Sequence, residues 1–312
     1  MVRWLVAGIG DITSKRAIPA ILAEPRSTLA AVVTRDPAKA AAYGCRVHTD
    51  FAEAVAAPDI DAVYIGTPVV MHAPQTIAAL RAGKHVLCEK PMAMNHAEAV
   101  SMQFAAEETG RTLGIAYYRR MYPKVRRAME LLGQGAIGKP VLAEINCHSW
   151  APALDGFRGW LLEPAMAGGG PLYDIGSHRI DVLNFLFGQP GRVAAMLSNA
   201  THGLAVEDAA TVLIEYSEGL RGIVDVRWNS HVNRDQFRII GADGEMELSP
   251  LNGPVLRWPG GEESLPVHAN VHYPLIENFV DALECKAPLA ASGATSLWTD
   301  RVTERAVSAG RP

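Results

Sequence analysis

The stretch Val2-Arg3-Trp4-Leu5-Val6-Ala7-Gly8-Ile9-Gly10-Asp11-Ile12-Thr13 sets the fold. Its apolar run, residues 3–7, reads as a short buried strand that stops at two glycines one residue apart. Residues 14–23 then have helix-forming composition, with Asp11 and Thr13 as candidate caps. Strand, glycine turn and helix in this order suit a dinucleotide. Residues without side chains let the backbone approach a pyrophosphate, which rests on the first amides of the helix. Gly8, Gly10, Asp11 and Ile12 are the candidate cofactor residues of this turn. Thr13 stands where the fingerprint normally has its third glycine or alanine, so the match is partial. Alone, such a GxG is as readily a plain turn; its place between first strand and first helix favours the cofactor.

Working outward, residues 29–33 form a second β-rich run, 37–43 a helix, 61–67 a strand closed by Pro68, and 71–82 a helix stopped by Gly83. Residues 85–88 make another strand, Asn95 caps an alanine-rich helix ending near Gly110, and 112–116 is a further strand. Repeated βα units predict a doubly wound parallel sheet with helices on both faces, a Rossmann domain over residues 1–120. Beyond it the rhythm changes. A helix at 124–132 precedes a long strand at 141–149, and from Arg192 onward strands dominate: 193–197, 209–216, 222–228, 237–240 and 245–248. Turns such as Ser217-Glu218-Gly219 join them, which favours antiparallel pairing. Two helices, 273–284 and 296–308, close the chain. Residues 121–312 are thus expected to form an α+β domain with a large, mainly antiparallel open sheet.

A length of 312 residues agrees with two domains. The chain is 49% hydrophobic and 20% charged with a formal net charge of −4, which leaves no electrostatic footprint for nucleic acid or an anionic membrane. The start is too short for a secretory signal, and no apolar stretch approaches the roughly 20 residues that span a bilayer. A soluble, cytoplasmic protein is expected. Cys45, Cys88, Cys147 and Cys285 lack CxxC or zinc spacing, so neither a disulfide framework nor a metal site is expected.

The second strand ends Val32-Val33-Thr34-Arg35-Asp36, where an acidic residue normally reads the ribose 2′-hydroxyl of NAD. Here a hydroxyl, Thr34, is followed by a guanidinium, Arg35. That pair suits a 2′-phosphate, because arginine binds phosphate in bidentate fashion. NADP is expected over NAD. The alternative is that Arg35 is a solvated charge and Asp36 reads the hydroxyls of NAD.

Two further segments supply acid/base chemistry. Val86-Leu87-Cys88-Glu89-Lys90-Pro91 puts a lysine at the carboxyl end of a strand, the crevice where open α/β sheets bind ligands. A cation there stabilises alkoxide character on a substrate oxygen. Downstream, Gly168-Gly169-Gly170-Pro171-Leu172-Tyr173-Asp174-Ile175-Gly176-Ser177-His178 sets a carboxylate four residues before an imidazole. On an α-helix Asp174 and His178 share a face one turn apart. An imidazole exchanges protons near neutral pH, and a carboxylate beside it holds its orientation. The plainer readings are a surface lysine and a buried structural histidine; Asp181 looks structural.

Gly66-Thr67-Pro68 with His72, the Glu89-Lys90-Pro91 motif and the Gly168-to-Asp181 segment together resemble the Gfo/Idh/MocA oxidoreductases, the glucose-fructose oxidoreductase and inositol dehydrogenase family. The resemblance covers nearly the whole chain. It implies that Glu89, Lys90 and Pro91 close a nicotinamide pocket, with Lys90 also touching substrate. It makes His178 the acid/base and Asp174 its assistant, and puts Thr67, Pro68 and His72 at the cofactor crevice. Tyr117-Tyr118-Arg119-Arg120-Met121-Tyr122-Pro123 is similar to the segment that leaves the first domain, with Arg120 as its recurrent arginine at the cofactor and Tyr118 lining the substrate site. Trp150, Arg158 and Trp160 are similar to positions in sugar-reducing members, although the order of Arg and Trp is imperfect; Trp150 is expected at substrate and Trp160 at cofactor. Core burial is the commoner fate of a tryptophan.

The expected activity is hydride transfer between NADP, or NAD, and a hydroxyl or carbonyl carbon of a sugar, cyclitol or polyol. One competitor is an NAD-dependent glycosidase on the same fold, with no net change in the cofactor. Another is a non-catalytic cofactor-sensing regulator, which has no need for Lys90, Asp174 and His178 together. An open sheet face in the second domain would seek a partner, so a homodimer or homotetramer is expected.

Overall fold

Strands that are apolar on both sides need cover on both faces, and six of them form a parallel sheet flanked by helices. The computed structural model describes residues 1–151 and 159–310. Its chain divides into two compact units, Met1–Tyr118 with His268–Leu297 and Arg119–Val267 with Trp298–Pro312.

In the first unit the chain runs β1 (Val2–Ala7), α1 (residues 11–23), β2 (Ser27–Val33), β3 (Arg46–His48), α2 (Phe51–Ala56), β4 (Ala62–Ile65), α3 (His72–Arg81), β5 (His85–Cys88), α4 (His96–Thr109) and β6 (Leu113–Ile115). The sheet order is β3-β2-β1-β4-β5-β6, all parallel. Chain order reverses between β1 and β4, so the carboxyl ends of these two strands, Gly8 and Gly66, flank the switch point at which such sheets bind ligands. Trp4, Leu5, Val63, Tyr64, Val86 and Leu87 are fully buried. The helix expected at 37–43 is only a 3₁₀ turn, Pro37–Ala40. After it come β3 and α2, the latter capped by Asp50 accepting from the Glu53 amide at 2.7 Å. Both lack a long apolar run to betray them.

The second unit holds α5 (Pro123–Gly133), β7 (Pro140–Trp150), α6 (Pro164–Ala167), α7 (residues 171–187), β8 (Val193–Ser198), β9 (Ala209–Glu215), β10 (Arg221–Arg227), β11 (Asn229–Gly241), β12 (Glu245–Glu247), β13 (Val255–Trp258) and β14 (Gly261–Ser264). Its sheet runs β14-β13-β12-β11-β7-β10-β9-β8 and is antiparallel except between β7 and β10. One face carries the fully buried Ala143, Ile145, Val212, Ile214, Val224, Val226, Phe237 and Ile239. The other carries a ladder of opposite charges, Glu144–Arg238 at 2.5 Å and Arg257–Glu262 at 2.6 Å, beside the exposed Met196 and Leu213.

The second unit is not the uninterrupted stretch 121–312. The chain returns to the first unit through α8 (Tyr273–Leu283), whose apolar face sets Phe279 against Trp4 with ring centroids 5.3 Å apart, and Ser292 bridges Gly114. The last helix, α9 (Gly293–Gly310), follows. Among the described residues no helix is long and apolar enough to cross a membrane, and no cluster of histidine, cysteine or carboxylates could hold a metal ion.

Candidate active site

The first glycine turn is built for close approach. Gly8 has φ +86°, a conformation that disfavours any residue with a Cβ, and a Cβ there would stand 3.0 Å from the Gly66 carbonyl oxygen. Thr13 fits because of a second glycine: its methyl would lie 2.3 Å from a Cβ on Gly66. The small residue missing from the fingerprint is thus supplied from the end of β4. The Thr13 hydroxyl accepts from the Gly10 amide at 2.7 Å and donates to its carbonyl at 3.1 Å, closing the turn. Helix α1 then begins with a π segment, Thr13–Ala17, and its first amides, those that follow Gly10, have no acceptor within the helix. Asp11 pairs with Lys15 at 2.5 Å, and Ile12 is exposed. The turn fits a dinucleotide pyrophosphate: Gly8 lies too close to Gly66 and Thr67 for a side chain, and the first amides of α1 have no acceptor within the helix.

At the end of β2, the Thr34 hydroxyl bonds both the amide and the carbonyl of Asp36 at 3.2 Å. The Asp36 carboxylate accepts from the Ala38 amide at 3.1 Å, capping the Pro37–Ala40 turn. Arg35 stays exposed.

The Lys90 turn is held from both sides. Glu89 is nine-tenths buried, and its Oε1 accepts from the Tyr64 hydroxyl at 2.5 Å and lies 3.1 Å from His272 Nε2. Its Oε2 accepts from the Lys90 amide at 3.2 Å. Burial alone would raise this carboxyl, but His272, Tyr64 and Lys90 bring it down to about 2. Burial and the neighbouring Glu89 charge push the Tyr64 phenol well above its ordinary value. On the other side, His72 sets Nδ1 2.9 Å from the Pro91 carbonyl oxygen and Nε2 2.9 Å from that of Thr67. The Thr67 hydroxyl donates to Gln75 at 2.7 Å, and Pro68 precedes the 3₁₀ turn Val69–Met71 that leads into α3. Glu89 and His72 therefore support the turn; His72, 1% exposed with both nitrogens on carbonyls, does not face a ligand as expected. His272, which lies far from Glu89 in the chain, reaches it because the chain returns to this unit, and its ring lies 5.1 Å from that of Tyr118.

In the second unit, α7 carries the other expected chemistry. Asp174 lies within a π segment, Leu172–Gly176, and His178 in the α-helical part that follows, Ser177–Phe187. A π turn closes at i+5, so the four-residue step falls short of a full turn and the one-face geometry expected of an ideal helix is offset. The Ser177 hydroxyl donates to the Tyr173 carbonyl at 2.6 Å inside this wide turn. His178 is 6% exposed. The glycine triplet before the helix is filled by protein: Cβ atoms on Gly168 and Gly169 would stand 2.5 and 2.4 Å from the Tyr173 ring, and one on Gly170 2.1 Å from the Glu207 carbonyl oxygen. The Glu207 carboxylate accepts from the Gly170 and Leu172 amides at 2.9 and 3.0 Å; burial raises its pKa. Only its place just after a turn and before β9 hinted at Glu207 in the sequence.

Arg120 forms a buried bidentate pair with Asp181 at 2.9 and 2.5 Å, and Thr299 donates to the same carboxylate at 3.3 Å. This ties Arg120 to α7 three residues beyond His178. Trp150 shares its strand face with Glu144 and His148, opposite Ala143 and Ile145, and stacks on His231 at 3.8 Å. Trp160 packs against Leu161, Ala167, Val206 and Trp228, the core fate that tryptophans favour. Arg158 lies outside the described residues.

Comparison with known proteins agrees with this architecture. Residues 2–117 match the model of the oxidoreductase family with an NAD-binding Rossmann fold, and residues 125–247 that of the GFO/IDH/MocA C-terminal domain. The chain is 32% identical to 1,5-anhydro-D-fructose reductase of Ensifer adhaerens over 96% of its length and 93% of the relative's. It is 31% identical to D-xylose 1-dehydrogenase (NADP(+)) 2 of Haloferax volcanii, over 78% of this chain and 75% of that one. Aldose-aldose oxidoreductase from Caulobacter crescentus, solved with glycerol, superposes with a TM-score of 0.88 at 27% identity, covering 99% of this chain and 97% of that chain. The chain belongs to the Gfo/Idh/MocA family and is an NAD(P)-dependent oxidoreductase.

Proposed function

We propose that the protein transfers hydride between NADP and a hydroxyl or carbonyl carbon of a sugar, cyclitol or related polyol. The observation that carries this reading is the Lys90 turn, locked by Glu89, Tyr64, His272 and His72 at the end of β5. A lysine whose backbone is held at this strand end is placed for electrostatics at a reacting oxygen. The relatives named above, an anhydrofructose reductase and a xylose dehydrogenase, support a sugar as substrate.

The nicotinamide, when bound, supplies or accepts the hydride. In the reducing direction, Lys90 stabilises negative charge developing on the carbonyl oxygen and His178 delivers the proton to it. Asp174 orients the imidazole or a substrate hydroxyl. Oxidation is the reverse, with His178 taking the hydroxyl proton. NADP is favoured over NAD because the exposed Arg35 offers a guanidinium to a 2′-phosphate, while one oxygen of the equally exposed Asp36 caps the Pro37–Ala40 turn. Absorbance of the reduced nicotinamide, followed against a panel of sugars and polyols with NADP and NAD in parallel, tests the proposal. Turnover dependent on a polyol or ketose is expected; cleavage of an aryl glycoside without any polyol turnover would overturn it.

The outer sheet face, with Met196 and Leu213 exposed beside the Glu144, Arg238, Arg257 and Glu262 ladder, supports self-association as a dimer or tetramer. Light scattering that finds only monomer would reject this part.

A further inference from the structure

His72 makes an arrangement with a strict proton count. Its two ring nitrogens face two backbone carbonyl oxygens, Pro91 O and Thr67 O, each at 2.9 Å. A carbonyl has no proton to give, and a neutral imidazole has one N–H. One N–H cannot serve both contacts. With the ring neutral, a nitrogen lone pair faces an oxygen lone pair on one side; with the ring protonated, both sides are hydrogen bonds. The two carbonyls belong to the turns after β4 and β5, and the second of these turns carries Lys90.

We propose that His72 is a positioning residue for Lys90: protonated, it clips the Pro91 carbonyl to the Thr67 carbonyl; neutral, it holds only one of the two and leaves the Lys90 turn looser. Its proton thereby couples the placement of Lys90 to pH.

The surroundings say where the clip opens. Burial lowers the pKa of His72, the Pro91 and Thr67 carbonyls and the Glu89 carboxylate oppose the drop, and the Lys90 charge adds to it. The net direction is downward, so the closed form belongs to the acid side of the ordinary histidine range. His72 is also the first residue of α3, where the positive end of the helix dipole disfavours a cation. Glu89 is itself bound by Tyr64 and His272, so His272 is a second imidazole in contact with the same turn and must be distinguished from His72.

Nuclear magnetic resonance on the whole protein reads this directly. Ring nitrogen shifts of His72 and carbonyl carbon shifts of Thr67 and Pro91 are followed from about pH 8 down to about pH 4, past the acid end of the span in which histidines act as switches. The expected result is one step below the ordinary histidine range, shared by the ring and by one of the two carbonyls. His72→Gln removes that step, and His272→Gln leaves it in place. Carbonyl shifts that stay flat while the ring titrates, or a ring that keeps one unprotonated nitrogen throughout, would overturn the clip.

A second measurement connects the clip to the active site, and it rests on the function proposed above. The dissociation constant of NADPH, read by its fluorescence, is expected to tighten about tenfold as pH falls through the same step, the size of one hydrogen bond to a charged group. In His72→Gln it is expected to lack that step. If NADPH fails to bind at any pH, the proposed function fails while the resonance data still decide the clip. If it binds with the same pH dependence in both proteins, the coupling to Lys90 is wrong.

Discussion

The molecule has two glycine turns that lead into helices opening with a π segment, and they are opposites. At Gly8 a Cβ would stand 3.0 Å from both the Gly66 carbonyl oxygen and the Thr67 methyl, and the first amides of α1 have no acceptor within their helix. At Gly168–Gly170 the missing side chains are replaced by the Tyr173 ring and the Glu207 backbone, and the Glu207 carboxylate already takes the Gly170 and Leu172 amides. Glycine at the start of a helix therefore has two meanings. In the proposed function the first turn leaves its amides to the cofactor's anion, and the second gives them to the protein's own carboxylate.

In the proposed function, binding falls to the first turn and chemistry to the helix after the second. The largest expected effect breaks it at His178. His178→Asn should lower kcat by about 10²- to 10⁴-fold, the usual worth of a general acid or base, and leave the NADPH dissociation constant within about twofold of wild type. Gly8→Ala should do the reverse, raising that constant because a Cβ stands against Gly66. Stopped-flow and fluorescence titration separate the two; equal loss of binding in both variants would erase the distinction.

The next effect tests how the Lys90 turn is held. Glu89 has its carboxyl depressed from 4.5 to about 2 by His272, Tyr64 and Lys90 acting against burial. A carboxyl depressed on folding contributes stability above its unfolded value and loses it as pH falls from 4.5 toward 2. The contribution is on the order of 3 kcal/mol from the size of the shift. Melting temperatures measured through that window should fall more steeply in the wild type than in Glu89→Gln, and parallel curves would show that the turn is not anchored through this charge.

Glu207 comes next. Glu207→Ala leaves two buried amides without their acceptor, which costs about 2 kcal/mol. Denaturant unfolding should show the loss, and Glu207→Gln, which keeps one amide acceptor, should fall between. A neutral Glu207→Ala would mean that this turn, like the first, is open to solvent or ligand.

How much of this could be read from the chain follows from where each signal resides. The parallel sheet was legible because β1, β4 and β5 are short, mostly apolar runs followed within a few residues by glycine or proline, and Gly8, Gly10 and Lys90 lie just beyond them. β3 and α2 escaped because they are short and partly exposed, and β13 and β14 because their residues alternate too briefly to make a period. The boundary at 120 overlooked the return of α8, since a helix does not announce which sheet it covers. The supporting residues were the least legible. His272 and Glu207 act through partners 183 and 37 residues away in the chain, and no spacing rule links such positions. Thr13 looked like a defect in the fingerprint until Gly66 made room for its methyl.

The smallest effect concerns the cofactor's far end. Arg35 is exposed, so its attraction for a 2′-phosphate is screened and gives about tenfold in kcat/KM rather than a large factor. Arg35→Ala should lower kcat/KM for NADP by that amount and leave NAD nearly untouched, because the ribose hydroxyls do not need the guanidinium. The gap between wild type and variant should narrow as salt is raised. Asp36 provides the control: one oxygen of its carboxylate accepts from the Ala38 amide, so Asp36→Asn, which can still cap, should leave the preference in place. A fall in NAD activity in Asp36→Asn, with NADP unaffected by Arg35→Ala, would reverse the assignment and make Asp36 the residue that reads the ribose.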